Sequence, residues 1–189
     1  MPKITAEGAA RANWRRKSNS EPMATSALPV LEVLVVAGCW QEEPDAEAVI
    51  HRAIAAAAEF VATDVGDTEL AIMLTDDTGI RTLNNNWRGV DKPTNVLSFP
   101  ALQPTGRPGP ADPPRMLGDI AIAYETTRKQ ADDEGKPFDH HLSHLAIHGF
   151  LHLIGYDHEK DQQAETMEGL EREILSQLGV PDPYAERKD

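Results

Sequence analysis

The chain has 189 residues, 40% hydrophobic and 26% charged, enough for one domain with its own core. No apolar run approaches the ~18 residues of a membrane span, and the single cysteine, Cys39, excludes an internal disulfide or a cysteine-based metal cluster and fits a reducing cytoplasm. A formal net charge of −13 argues against wrapping duplex nucleic acid over a broad surface, although a local basic cleft remains compatible with it.

The charge is uneven. Residues 1–27 carry a net +3, including Trp14-Arg15-Arg16-Lys17, and the other 162 residues carry −16. The first 27 residues lack apolar periodicity and an apolar stretch after the basic cluster, so no secretory signal is read there. They read as a disordered extension, with a basic arm for RNA as the alternative. Met23 is a candidate natural start, and residues 28–189 read as a single catalytic domain.

Val30–Ala37 is a β-branched and apolar run, which predicts a well-buried strand. Pro44-Asp45 opens a helix to about Ala62, with Val49, Ile50, Ala53, Ile54, Ala57 and Phe60 on one face. Glu69–Leu74 predicts a second strand. Thr75 or Asp76 caps a helix reaching Trp87, which Gly89 ends. Asn95–Phe99 predicts a third strand. Residues 100–114 hold six prolines and two glycines and read as a loop. Leu117–Tyr124 predicts a fourth strand and Thr126–Asp133 a short helix. Two helices follow, Phe138 to Ile154 and Asp161 to Leu178, each stopped by a glycine. Strands mixed with helices, then helices alone, suggest an α+β fold with helices packed on a small sheet.

The chemistry concentrates in His148-Gly149-Phe150-Leu151-His152-Leu153-Ile154-Gly155-Tyr156-Asp157-His158. Histidines at 148 and 152 fall one turn apart on one helix face, so both imidazoles reach a common ion at about 2.0–2.1 Å. A continuous helix would carry His158 elsewhere, but Gly155 can end the helix and turn the chain back. Leu142, Leu145, Phe150, Leu153 and Ile154 anchor the helix, while His141, His144, His148 and His152 gather opposite. Three neutral imidazoles with an open fourth position mark a catalytic zinc, which acidifies bound water to a pKa of about 7. The competing reading is a histidine-rich amphipathic helix with no ion.

This histidine spacing is that of H-E-x-x-H-x-x-G-x-x-H zinc peptidases. The residue after the first histidine is their general base, and here it is Gly149, which cannot take a proton. His144 reads as a cavity-lining or supporting residue; as a fourth ligand it would close the site. Asp157 either orients a ligand imidazole or caps the turn. His51, His140 and His141 read as surface or helix-end residues.

Residues 80–95 carry Arg81, Arg88 and Lys92 against Asp91 alone, a basic patch on an acidic protein. Arg88 either grips a phosphate through its planar guanidinium or simply favours a helix C-terminus. Asp76-Asp77 and Asp132-Asp133 read as caps and solvated charge. No nucleophile elbow or Walker loop is present.

The His148–His158 segment, Asn84–Pro100, Leu117-Gly118-Asp119-Ile120, Met167-Glu168-Gly169-Leu170-Glu171 and Asp182-Pro183-Tyr184 together resemble the bacterial YbeY family of endoribonucleases and rRNA maturation factors. The resemblance spans roughly residues 30 to 184. It implies a small mixed four-stranded sheet packed with several helices. It also implies one Zn²⁺ on His148, His152 and His158, a functional Arg88, and cleavage of single-stranded RNA in 16S rRNA 3′-end maturation and ribosome quality control. The implied partners are single-stranded RNA or rRNA and the ribosome or its small subunit, with no membrane. Lys92 is the expected helper in positioning the RNA backbone. Asn95 stands where many members have Asp. The rival readings are a non-enzymatic ribosome assembly factor with a structural zinc, and a zinc peptidase. Other divalent transition metals fit the same imidazole set.

Overall fold

A computed structural model describes residues 28–61, 65–66, 68–101, 115–158 and 160–185. The expected N-terminal extension, and with it Met23 and the basic cluster, lies outside the described residues, as does most of the proline-rich stretch 100–114.

Four strands form one mixed sheet: β1 Val30–Val35, β2 Thr68–Thr75, β3 Val96–Pro100 and β4 Arg115–Ala123. Their spatial order is β1-β2-β4-β3, with β1, β2 and β4 parallel and β3 antiparallel to β4. Five helices accompany them: α1 Ala46–Val61, α2 Asp77–Arg88, α3 Tyr124–Asp133, α4 Phe138–Leu153 and α5 Asp161–Gln177. The α+β expectation therefore holds, each element falling within two or three residues of its predicted span.

Strand alternation sorts the core into two layers. Leu70, Ile72 and Leu74 of β2 and Ile120 and Ile122 of β4 face α1, α4 and α5, and this side carries the main core. Ala121 and Ala123 of β4 and Leu97 of β3 face the other way, onto Ile80 and Leu83 of α2. Asp76 caps α2 by accepting from the Gly79 N–H (2.7 Å), and Gly89 closes it in a left-handed conformation. Asp77 ties α2 to α3: its N–H donates to Glu125, and its carboxylate accepts from Thr126. The acidic pair at 76–77 is thus structural, as expected.

β1 departs from expectation. It is an edge strand paired only to β2, and Val30, Leu34 and Val35 are exposed. Leu31 and Val33 pack on the main core, but no described helix covers the opposite side, so a largely apolar strand, Glu32 excepted, is buried on one face only. A short 3-10 helix, Gly38–Glu42, absent from the predicted elements, follows it. It buries Trp40, whose indole N–H donates to the Thr75 carbonyl (2.8 Å).

α4 is the central helix, touching α1, α3, α5, β3 and β4. Apart from Asp139 in its first turn, its only solvent-accessible positions are His140, His144, His148 and His152. Every other side chain is buried, so the helix is a core element with one stripe of imidazoles, each four residues from the next. Gly149 lies close against the sheet. A Cβ there would lie 3.0 Å from two carbons of the buried Ile120 and 3.1 Å from the Ser98 hydroxyl. Placing a carboxylate side chain at this position overpacks the interface and buries a charge. Gly149→Glu is expected to destabilise the fold by at least about 3 kcal/mol in urea titration.

Candidate metal centre

His148, His152 and His158 meet. Their ligand nitrogens lie within 4.8 Å of one another, and the ring centroids are 4.7 Å (148–152), 4.9 Å (152–158) and 5.4 Å (148–158) apart. The end of α4 explains how the third joins the pair. Gly155 has φ +95°, which side-chain-bearing residues rarely adopt. Its N–H donates to the His152 carbonyl (3.1 Å) and the Tyr156 N–H donates to the Leu151 carbonyl (3.0 Å), the Schellman pattern. The reversed chain then delivers His158 to the exposed side of the pair.

The same turn sets the tautomer of His152. Its Nδ1 sits 3.0 Å from the Tyr156 carbonyl, which only accepts, so Nδ1 carries the hydrogen. His148 Nδ1 sits 2.8 Å from Glu171 Oε1, also an acceptor. Each ring therefore presents a bare Nε2, and these two atoms are 3.2 Å apart. Two lone pairs facing each other at that distance repel unless a cation stands between them. Donors held about 2.0–2.1 Å from one tetrahedral ion lie about 3.3–3.4 Å apart, so the spacing fits a metal. Burial, and then the neighbouring His148 and His158, lower the pKa of His152, which favours the neutral ligating form.

Glu171 supplies what the sequence reading missed. It lies on α5, is fully buried, and accepts from His148 Nδ1, His144 Nε2 (3.1 Å) and the Tyr184 hydroxyl. Burial pushes its carboxyl pKa up, but these donors outweigh it and hold the group at about 2. Burial and the adjacent carboxylate push the Tyr184 hydroxyl well above its ordinary value. The only sequence signal was a glutamate inside the apolar pattern of α5, between Leu170 and Ile174, where a charge has to find a partner.

The other histidines divide. His144 is committed to Glu171 and Tyr184 and acts behind the three donors. His51 is exposed and His140 half-buried at the helix start, as expected. His141 contradicts its surface reading: it is buried, because position 141 turns inward from the stripe. Its Nε2 meets Gln130 Oε1 (3.1 Å), which also accepts from Asn95 Nδ2 (3.0 Å). Asn95 thus bonds the segment just before β3 to α3 and is not among the clustered nitrogens. Asp157 caps its own turn, accepting the His158 N–H (2.7 Å), and bonds no imidazole.

Arg88 is exposed at the last position of α2 and has no ion-pair or hydrogen-bond partner among the described residues; Lys92 is exposed in the following loop. Arg81 pairs with Asp91 (2.6 Å), so the free charge of the patch is Arg88 and Lys92. Asn84 Nδ2 donates to the Lys92 carbonyl (2.8 Å), pinning the loop back onto α2. No direct contact joins Arg88 to the histidines. The link runs through β3: the Trp87 ring packs 5.7 Å from Phe99, and the hydroxyl of the preceding Ser98 donates to the Gly149 carbonyl (3.3 Å), beside His148.

Residues 39–179 match the family model described as endoribonuclease YbeY. A protein of Nitrobacter winogradskyi named endoribonuclease YbeY is 72% identical over 186 residues, 98% of this chain and 97% of that one. One of Nitrobacter hamburgensis bearing the same name is 74% identical over 167 residues, 88% of each chain. Among solved structures, TM1509 of Thermotoga maritima, determined in solution, superposes with a TM-score of 0.52 at 22% identity, covering 85% of this chain and 99% of that one, a likeness of fold. No helix among the described residues is long and apolar enough to cross a membrane.

Two outcomes follow. Glu171→Gln leaves three imidazoles but weakens the grip on His148, and a competition titration against a chelating dye is expected to show metal affinity lowered about 10- to 100-fold. Burial, and then the neighbouring His144, hold His141 down to about 4, below the 6.5 it has when unfolded. The unfolded chain therefore takes up this proton first, so stability is complete above pH 6.5 and falls as pH drops toward 4. His141→Gln is expected to remove part of that slope, on the order of 2 kcal/mol, measured by urea unfolding at each pH.

Proposed function

The chain belongs to the family of YbeY endoribonucleases, and from that premise we propose that it is a zinc-dependent, single-strand-specific endoribonuclease of 16S rRNA 3′-end maturation and ribosome quality control, working in the cytoplasm with the ribosome or its small subunit as partner. One observation carries the metal-dependent part: two imidazoles whose tautomers are set by Glu171 and Tyr156 turn bare Nε2 atoms toward each other at 3.2 Å, with His158 closing the third side.

In this reading His148, His152 and His158 hold one divalent ion, zinc being the ion three imidazoles most commonly take, with nickel, cobalt and copper as chemically acceptable substitutes. Such an ion supplies Lewis acidity at a phosphate oxygen and acidifies water. The chain's own groups do the rest. Arg88, without an ion-pair or hydrogen-bond partner among the described residues, takes a phosphate through two parallel hydrogen bonds and offsets the charge that grows in the transition state. Lys92 steadies the RNA backbone beside it. Glu171 and the Tyr156 carbonyl keep both Nδ1 atoms protonated so that both Nε2 atoms stay available.

The rival readings meet specific obstacles. A structural, four-imidazole site needs His144, whose Nε2 is already engaged by Glu171 and Tyr184. A peptidase of the related histidine spacing needs a carboxylate at position 149, where the main chain lies against Ile120 and Ser98.

Metal-quantified wild type is expected to hold one zinc and cut single-stranded RNA. His152→Ala is expected to lose both. Arg88→Ala is expected to keep its zinc and lose about 10²- to 10³-fold in cleavage rate. Equal cleavage by wild type and His152→Ala would move the activity away from this centre, and unchanged cleavage by Arg88→Ala would remove the guanidinium from the reaction.

A further inference from the structure

Trp87 is 72% exposed, more than any other large hydrophobic side chain among the described residues. The contrast with Trp40, 3% exposed with its indole N–H bonded to Thr75, shows how this fold treats a tryptophan that serves the core. Trp87 has no hydrogen-bond partner among the described residues, yet its ring is not loose. It packs at 55° and 5.7 Å against Phe99 of β3. Phe99 belongs to the small core under α2, with Leu97 and Ile80. One side of the indole is therefore backed by a fixed ring while most of its surface meets water.

Its neighbours carry the right charge for a polyanion. Arg88 follows it directly, and the loop that brings Lys92 back is pinned by Asn84 Nδ2 on the Lys92 carbonyl (2.8 Å) and by the Lys92 N–H on the Val90 carbonyl (2.9 Å). The nearby carboxylate of Asp91 is neutralised by Arg81 (2.6 Å). On a chain of net charge −13, this corner offers two cations without a side-chain partner among the described residues, beside an exposed aromatic ring. Unpaired nucleobases stack on aromatic side chains whatever their sequence, because every base has a π-face. A base inside a duplex is already stacked and cannot reach such a ring.

We propose that Trp87, backed by Phe99 and flanked by Arg88 and Lys92, is a stacking platform for one unpaired nucleobase of the RNA strand whose phosphate Arg88 holds. The inference rests on the endoribonuclease reading and deepens it, since it makes a single side chain the selector of unpaired over paired RNA. Phe99 and the adjacent Ser98 of β3 connect the platform to the helix that carries His148 and His152.

The test uses the zinc-loaded full chain and a short, end-labelled single-stranded RNA, with affinity read by anisotropy before cleavage accumulates. The same strand is also prepared with one abasic position moved along it. Trp87→Ala is expected to weaken binding about 5- to 150-fold, while Trp87→Phe, which keeps an aromatic face, stays within about threefold of wild type. One abasic position is expected to weaken wild type and leave Trp87→Ala unaffected, a coupling that general destabilisation would not produce. Wild-type affinity in Trp87→Ala, or the same abasic penalty in both proteins, overturns the platform while wild-type cleavage still upholds the nuclease. A wild type that neither binds nor cuts the strand overturns both.

Discussion

A carboxylate with no access to water has to be satisfied by donors, and Glu171 is satisfied by three: His148, His144 and Tyr184. This one group ties α5 to α4 and to the segment after α5. Lys136 adds a further tie to that segment by donating to the Pro183 carbonyl (2.8 Å). Remove the carboxylate and His148 loses the acceptor that keeps its hydrogen on Nδ1. Remove its donors and a negative charge is stranded in the core, a penalty of several kcal/mol. The site and the packing of the C-terminal helices therefore share one electrostatic constraint.

The rest of the centre is built by backbone. The turn that ends α4 performs two tasks at once. Its reversal carries His158 back, and the carbonyl it exposes at Tyr156 takes the Nδ1 hydrogen of His152. One imidazole is oriented by a side chain from another helix and the next by the main chain of its own turn. Both rings are held by protein partners, so binding of an ion there would cost them little freedom. The third, His158, is exposed and less confined, which leaves the open side of the centre facing solvent.

α4 shows why such a site sits on a core helix. A helix buried on nearly its whole circumference is positioned by α1, α3, α5 and the sheet. Its one accessible stripe is therefore placed with the precision of the core. Gly149 contributes by letting the helix settle against Ile120 and Ser98. The absence of a side chain there is thus accounted for by packing as well as by chemistry. Arg88, in contrast, stands exposed at the end of α2, where no described residue competes for its guanidinium.

Much of this was legible in the chain itself. Local signals sufficed where the physics is local: the four-residue histidine spacing, the glycine at 155, the Asp76 cap, and the apolar strand runs all depend on neighbours a few residues away. The three clustered histidines needed only those rules. What pairs across long separations was not legible. The partnership of Glu171 with His148 spans 23 residues and two helices, and no periodicity announces it. His141 looked like one more member of the imidazole stripe, yet its 100° turn from His140 sends it into the core beside Gln130. β1 read as buried because its residues are mostly apolar, and only the order of strands put it at an edge with one face uncovered by the described residues. Composition sets what a segment is able to bury; which neighbours arrive to bury it, and which donors reach a buried charge, is decided when the whole chain packs.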